Sequence, residues 1–541
     1  MRPIFLRFTA HRGGNFAVIT ALAAIPLVFA TGAVLDGSRL FSAKQHLQEA
    51  VDSAALSVVK ESGFDKAKAN SIAQRMLTAN FGSGYRDLNV ELSNSGAKIT
   101  AELALPTTLT SVLGYKEMTA SVSGTVEYPQ TTYEIGLVLD TTGSMAGSKI
   151  TELKKAAAAM VDQLSATPLL RQRVRFALVP FSAYVNVGGD KKTAPWIDTQ
   201  GLVHLPGSII PTGVSRTKIF QYGFSQYGQD WEGCVEARIE EGTENFSVDD
   251  TTPSFSNPRT LFVPMLSPDE PSASDYWRRP IYPNNFNQDD TLKGLGVTIS
   301  NKGIVTYSPS SIDSYYQFYS NSLERQGPNN GCSARALTPL TSDFAKIKSE
   351  INQLQAEGST NITEGMAWGS RVLSPGEPFT EGVAPDKDVQ KIIVLLTDGD
   401  NSITQLSNPK GSAYSAYGYL SDWRWDKSYK NGGYGKICQN GDVPDGDNNC
   451  SKKKGNDVSA VTQAQILTAM NADTLAACGV AKSAGQEVYT IRLEVNTTTS
   501  STLLSNCATD KAHYYDAQSA SDLPAIFDAI TQRILKLRIT S

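Results

Sequence analysis

The segment from Glu134 to Ser148, E-I-G-L-V-L-D-T-T-G-S-M-A-G-S, constrains the fold more than any other part of the chain. Ile135, Leu137, Val138 and Leu139 form an apolar run, as a strand covered on both faces of a parallel sheet does, and the run stops at Asp140. Asp140, Thr142 and Ser144 then alternate with Thr141 and Gly143. A tight loop leaving the strand can turn these three oxygens toward one point, which suits a small hard cation. Ile150, Leu153, Ala157, Met160, Val161 and Leu164 follow at helical spacing. Strand, oxygen-rich loop and helix in this order predict an open α/β sheet with a site at the carboxyl ends of its strands. Any one such loop has a plainer use, because Asp, Thr, Ser and Gly also cap helices and form turns.

Two later stretches match the first. Gly358-Ser359-Thr360-Asn361-Ile362 follows a helical stretch over 342–356, and the apolar run Ile392 to Leu396 ends in Thr397-Asp398-Gly399. Together, D-x-T-x-S after a buried strand, the threonine turn and the later aspartate resemble the metal-ion-dependent adhesion site (MIDAS) of von Willebrand factor A domains. That site is usually written D-x-S-x-S; Thr142 departs from it but keeps the hydroxyl. The resemblance implies an α/β, Rossmann-like A domain over 131–541. It also implies Mg²⁺ or another divalent cation touched by Thr142, Ser144 and Thr360, with Asp140 and Asp398 acting directly or through water. One coordination position is left for a partner's carboxylate.

The start of the chain reads as a membrane segment. Phe16 to Leu35 is a run of 20 uncharged residues preceded by Arg2, Arg7 and Arg12, long enough to cross a bilayer with a cytoplasmic N-terminus. A secretory signal would have a shorter apolar core and a small-x-small cut before a polar start. Beyond it, Leu40, Leu47, Val51, Ala55 and Val58 line one side of an amphipathic stretch that meets no Gly or Pro before Gly63. One helix over 16–60 is expected. Arg12-Gly13-Gly14-Asn15-Phe16-Ala17-Val18-Ile19 and the stretch Leu47 to Leu56 resemble the TadE/TadG-like proteins of Flp (Tad) pilus assembly. A cut after Gly14 would put Ile19 where processed relatives carry Glu, so the resemblance does not carry processing with it. Residues 1–61 thus form the cytoplasmic N-terminus, transmembrane helix and stem.

Residues 62–130 read as a small α+β spacer. Asp65 caps a helix with Ile72, Met76 and Leu77 inward; Leu88, Val90, Leu92 and Ile99, Ala101, Leu103 alternate about a turn, and another strand covers 119–128. Within the A domain, Val174 to Phe181 suggests the next strand. The Pro-, Gly- and Tyr-rich stretches at about 187–333 and 400–457 read as two insertions. Trp196, Trp231 and Trp277 argue against disorder in the first. The α/β rhythm returns with a helix over 463–484, strands over 488–493 and 512–516, and a last helix over 523–537.

All six cysteines follow the apolar helix, which favours disulfides in an oxidising compartment. Locality pairs Cys234 with Cys332, Cys438 with Cys450 and Cys478 with Cys507; relatives imply a similar late pair. Asp442, Asp445, Asp447 and Asn449 offer oxygens to Ca²⁺, but without the spacing of an EF-hand, and solvated turn residues look the same.

A net charge of -5 gives no case for nucleic-acid binding. The four histidines are scattered, with no H-E-x-x-H pair, and there is no G-x-S-x-G elbow, so a non-enzymatic protein is expected. A metal-assisted hydrolase would have only Asp400 to nominate as an extra base. The resemblances imply a single-pass bacterial inner-membrane protein with its bulk periplasmic or at the cell surface. Its partners would be pilus subunits, the assembly machinery or a surface ligand with an exposed Asp or Glu. The alternative is a structural minor pilin-like or tip subunit whose metal only stabilises a loop edge.

Overall fold

The computed structural model describes residues 12–62, 65–93, 96–108, 110–127, 131–166, 168–205, 208, 210, 212–221, 229–239, 246–268, 297–299, 305–307, 327–405, 412–419, 443–444, 450–451 and 463–540. The chain forms two compact units, residues 1–130 with 167–170, and residues 131–166 with 171–541.

The first unit is built on one long helix, α1 (Arg12–Glu61). Its N-terminal part is apolar and exposed, and α1 is long and apolar enough to cross a membrane by length and composition. Its C-terminal half is amphipathic for a different purpose. Leu47, Val51, Ala55 and Val58 are buried against α2 (Lys66–Phe81) and an antiparallel sheet of β1 (Tyr85–Leu92), β2 (Gly96–Pro106) and β3 (Glu117–Glu127). Asp65 caps α2, its Oδ1 accepting from Ala67 N at 2.8 Å and Lys68 N at 3.1 Å. The stem's apolar side is therefore the core of this unit. Leu47→Ala should cost about 2–5 kcal/mol, read as faster hydrogen exchange over 66–127 in the full-length protein.

The second unit is a doubly wound α/β fold, as expected. It runs β4 (Thr132–Asp140), α3 (Ser148–Leu164), β5 (Val174–Phe181), β6 (Thr338–Thr341), α4 (Phe344–Asn352), α5 (Ile362–Arg371) and β7 (Val389–Thr397). It continues with α6 (Gln463–Ser483), β8 (Gln486–Leu493), α7 (Thr498–Cys507), β9 (Tyr514–Ala517) and α8 (Leu523–Thr540). The sheet order is β9-β8-β7-β4-β5-β6, parallel except for β6 at the edge. β4 and β7 are buried residue after residue because helices cover the sheet: α3 packs with α4 and α8, and α6 packs with α5 and α7. The helix read over 342–356 is shorter, starting where Asp343 accepts from Lys346 N at 2.9 Å.

α5 is the central helix and all ten of its residues are buried. A Cβ on Gly369 would lie 2.4 Å from Val138 Cγ2 of β4, so the absence of a side chain lets the helix lie flat on the sheet. The other side of α5 is covered by the first insertion. Arg371 donates to the carbonyls of Asp249 at 2.9 Å and Ser247 at 2.8 Å, and Trp368 stacks on Phe262 with ring centroids 4.6 Å apart. Trp196 and Trp231 join the same core. The second insertion interlocks with the first, Ala237 N donating to Ala416 O at 2.9 Å while the Tyr414 hydroxyl meets Glu236.

Cys234 is bonded to Cys332 and Cys478 to Cys507, as locality paired them. Cys438, Trp277 and the acidic cluster Asp442, Asp445, Asp447 and Asn449 lie outside the described residues. Gly369→Ala must move α5 off β4, and an overpacked core typically loses about 1–3 kcal/mol. A urea-denaturation midpoint matching wild type would contradict this packing.

Candidate functional site

The sheet order places β4 beside β7, and between them the winding reverses. This is the switch point of a doubly wound sheet, where a crevice opens beyond the carboxyl ends of the strands. Asp140 is the last residue of β4 and Asp398 follows the last residue of β7, so two carboxylates from distant parts of the chain emerge side by side.

Both are buried, and local hydrogen bonds orient them. Asp140 Oδ1 accepts from Thr142 N at 2.8 Å and its Oδ2 from Thr397 Oγ1 at 2.6 Å. Ser144 Oγ donates to Asp398 Oδ1 at 2.6 Å and lies 3.0 Å from Thr142 Oγ1. The sequence-predicted Asp140, Thr142, Ser144 and Asp398 therefore form one hydrogen-bonded chain of oxygens. Thr360 comes from the second loop and sits beside Gly399, its Oγ1 3.5 Å from where a Cβ on that glycine would be.

The three loops are locked by backbone. Gly143 N donates to Gly358 O at 2.9 Å and Glu357 N to Thr141 O at 2.8 Å, joining the first loop to the second. Ser402 N donates to Thr360 O at 2.8 Å and its hydroxyl accepts from Thr360 N at 3.0 Å, joining the second to the third. Gly358 takes φ +89°, a left-handed conformation that L side chains rarely adopt. Both insertions abut this edge. Ser333 at the end of the first donates to Glu357 O at 3.2 Å, and Tyr417 of the second donates to Asn361 Oδ1 at 2.9 Å.

Lys149, in the first turn of α3, is the residue that sequence reading passed over. Its Nζ lies 2.7 Å from Asp398 Oδ2 and 3.8 Å from Glu494 Oε2. An exposed-looking lysine at a helix start carries no signal of this in sequence. Among the described residues no group of three or more His, Cys, Asp or Glu side chains is placed to hold a metal, so a cation here would depend on the hydroxyls as well. Two carboxylates with three hydroxyls is a hard oxygen set, the kind Mg²⁺ accepts while keeping part of its water. Asp400 is occupied otherwise, both its oxygens accepting from Thr497 Oγ1 at 3.2 Å.

Burial, and next the facing Asp398, push the Asp140 carboxyl up to about 6, against hydrogen bonds from Thr142 and Thr397 that favour ionisation. Between the ordinary value of 3.8 and about 6 the fold holds a proton that the unfolded chain has released. Stability of the chelated protein should therefore fall as pH rises through that window and level off above it, by on the order of 3 kcal/mol. Asp140→Asn should remove the Asp140 contribution and so flatten that slope, leaving the part that the buried Glu364, also pushed up by burial, supplies. Urea denaturation in chelator across the window, wild type against Asp140→Asn, measures it.

Residues 14–61 match the family model described as putative Flp pilus-assembly TadE/G-like. The match covers the first helix and upholds the pilus-assembly resemblance there. No curated relative matches the sequence. Among solved structures, the pilus adhesin SpaC from Lactobacillus rhamnosus GG is similar at 12% identity and TM-score 0.31, covering 84% of this chain and 34% of that one. The chain thus spans about a third of SpaC's length. The vWF domain of the type V pili tip protein Mfa5 from Porphyromonas gingivalis is similar at 12% identity and TM-score 0.30, covering 75% and 95%. The adhesive tip pilin GBS104 from Group B Streptococcus agalactiae is similar at 11% identity and TM-score 0.31, covering 75% and 100%. Likeness at this level leaves the functional argument to the chain's own residues.

Proposed function

We propose that this chain is a membrane-anchored binding protein of Flp (Tad) pilus assembly or adhesion. Its second unit holds Mg²⁺, or another divalent cation, at Asp140, Thr142, Ser144, Thr360 and Asp398 to capture a partner's carboxylate. What supports the metal is one observation: two buried carboxylates from adjacent strand ends share a hydrogen-bonded set of hydroxyls at the switch point. When bound, the cation supplies a Lewis-acidic position that an Asp or Glu of the partner completes. The protein's own groups prepare it. Thr397 and the Thr142 amide fix Asp140, Ser144 links the first and third loops, and Lys149 balances the charge of Asp398.

Partner choice falls to the insertion lobe beside Thr360, where Ser359, Ser402, Thr404, Tyr414 and Tyr417 line a small cleft. The chain sits in the inner membrane through α1, N-terminus in the cytoplasm and bulk outside it. The partner is a pilus subunit, the assembly machinery or a surface ligand. A second reading, a structural minor pilin-like subunit with a merely structural cation, draws on the family match being confined to α1.

Calorimetric titration of the full-length protein with Mg²⁺ should show one site that Asp140→Ala removes. Lys149→Met, which removes the ammonium bonded to Asp398 and competing with a cation for it, should tighten that site by about tenfold. Crosslinking in intact cells separates the two readings. If Asp140→Ala, folded and equally abundant, loses specific partners as chelation does, the carboxylate-capture reading stands; an unchanged partner set with metal binding lost favours the structural subunit.

A further inference from the structure

In the first unit, Asp36 is the first charged residue after the apolar run and it is buried, in contrast to the exposed helix preceding it. Its carboxylate is turned to one loop, and Arg39 Nη1 of the same helix lies 4.0 Å from its Oδ1. Thr108 N donates to both oxygens at 3.1 Å, Thr110 N to Oδ2 at 3.1 Å and Thr110 Oγ1 to Oδ2 at 2.8 Å. Arg39, one turn on, adds a bond from Nη1 to Thr108 Oγ1 at 2.6 Å. This loop joins β2 to β3, and its ends are drawn together where Thr107 N donates to Lys116 O at 3.1 Å.

The sheet runs alongside α1, which fixes the loop's level. Gln48 Nε2 donates to Ser123 O at 3.0 Å, higher on the same helix. From Gln48 down to Asp36 the helix falls about 18 Å, and from Ser123 down to Glu117 the strand falls about 20 Å. The loop therefore lies level with the last turn of the apolar run. Its sequence, T-T-L-T-S-V-L-G-Y-K over 107–116, contains no acidic residue and ends in Tyr115, 69% exposed, and the exposed Lys116.

We propose that the β2–β3 loop is a membrane-interface contact, with the Tyr115 ring at the headgroup boundary of the outer face and Lys116 and Arg39 toward lipid phosphates. It rests on α1 spanning the bilayer. An amphipathic ring beside a cation is the chemistry that membrane interfaces select, and Asp36 is the clasp that holds the loop down there. With the contact made at two points, helix and loop, the first unit is fixed in its tilt against the membrane rather than free to swing on a single helix.

The test uses nitroxide labels on the full-length protein in phosphatidylethanolamine–phosphatidylglycerol vesicles, at Tyr115→Cys, with Val28→Cys as a site within the apolar run and Glu91→Cys on the opposite end of the sheet. Collision with oxygen and with a water-soluble nickel chelate reports depth. Expected is a Val28→Cys label deep in lipid and a Tyr115→Cys label at the interface, its nickel accessibility several-fold below that of Glu91→Cys; adding Asp36→Asn should raise the motion of the 115 label. A deep 28 label with a 115 label as water-accessible as 91 overturns the loop contact and leaves the span intact. A 28 label in water overturns both.

Discussion

Asp140 and Asp398 are two carboxylates held out of water at the ends of adjacent strands, and the second unit is organised around keeping them there. Each alone would be costly to bury, and together they repel. The structure offsets this with directed donors: Thr397 and the Thr142 amide on Asp140, Ser144 and Lys149 on Asp398. These donors come from the first loop, the first turn of α3 and the end of β7. The second loop joins through backbone bonds on both sides, so the three loops keep their places as one body.

The same constraint explains why the insertions are where they are. α5 carries the second loop at its N-terminus and must stay flat on the sheet, which Gly369 permits. Its outer side would lie open to water were the first insertion not laid over it, with Phe262 on Trp368 and Arg371 bonded to the carbonyls of Ser247 and Asp249. The second insertion leaves directly after the third loop and returns Tyr417 to Asn361, the cap of α5. The lobe that borders the candidate site thus also holds one of its loops. Substitutions in it are expected to disturb the placement of that loop.

Much of this was legible in the sequence because it is local. An apolar run ending in Asp140 or Asp398 marks a strand exit wherever it occurs, and the hydroxyls follow within a few residues. What sequence did not reveal depends on distant partners. The polar side of α5, Thr363, Glu364, Ser370 and Arg371, has the spacing of a solvent face, yet every residue of the helix is buried. Lys149 reads as a solvated helix residue until Asp398 is brought 249 positions across to meet it. Glu134, one residue before the apolar run, gives no sign that Lys391 and Arg175 will enclose it at the opposite end of the strands, Lys391 Nζ at 2.7 Å. The stem was legible as amphipathic, but an apolar stripe does not say what covers it; here it is β2, β3 and α2.

The account stands most directly on whether a partner's carboxylate completes a cation held by this oxygen set. Mn²⁺ in place of Mg²⁺ makes that visible through water-proton relaxation, first of the full-length protein and then with glutarate added. The account predicts an enhanced relaxation lost in Asp398→Asn, falling as glutarate displaces water from the ion. Enhancement that persists in Asp398→Asn, or that glutarate leaves unchanged at saturation, would contradict it.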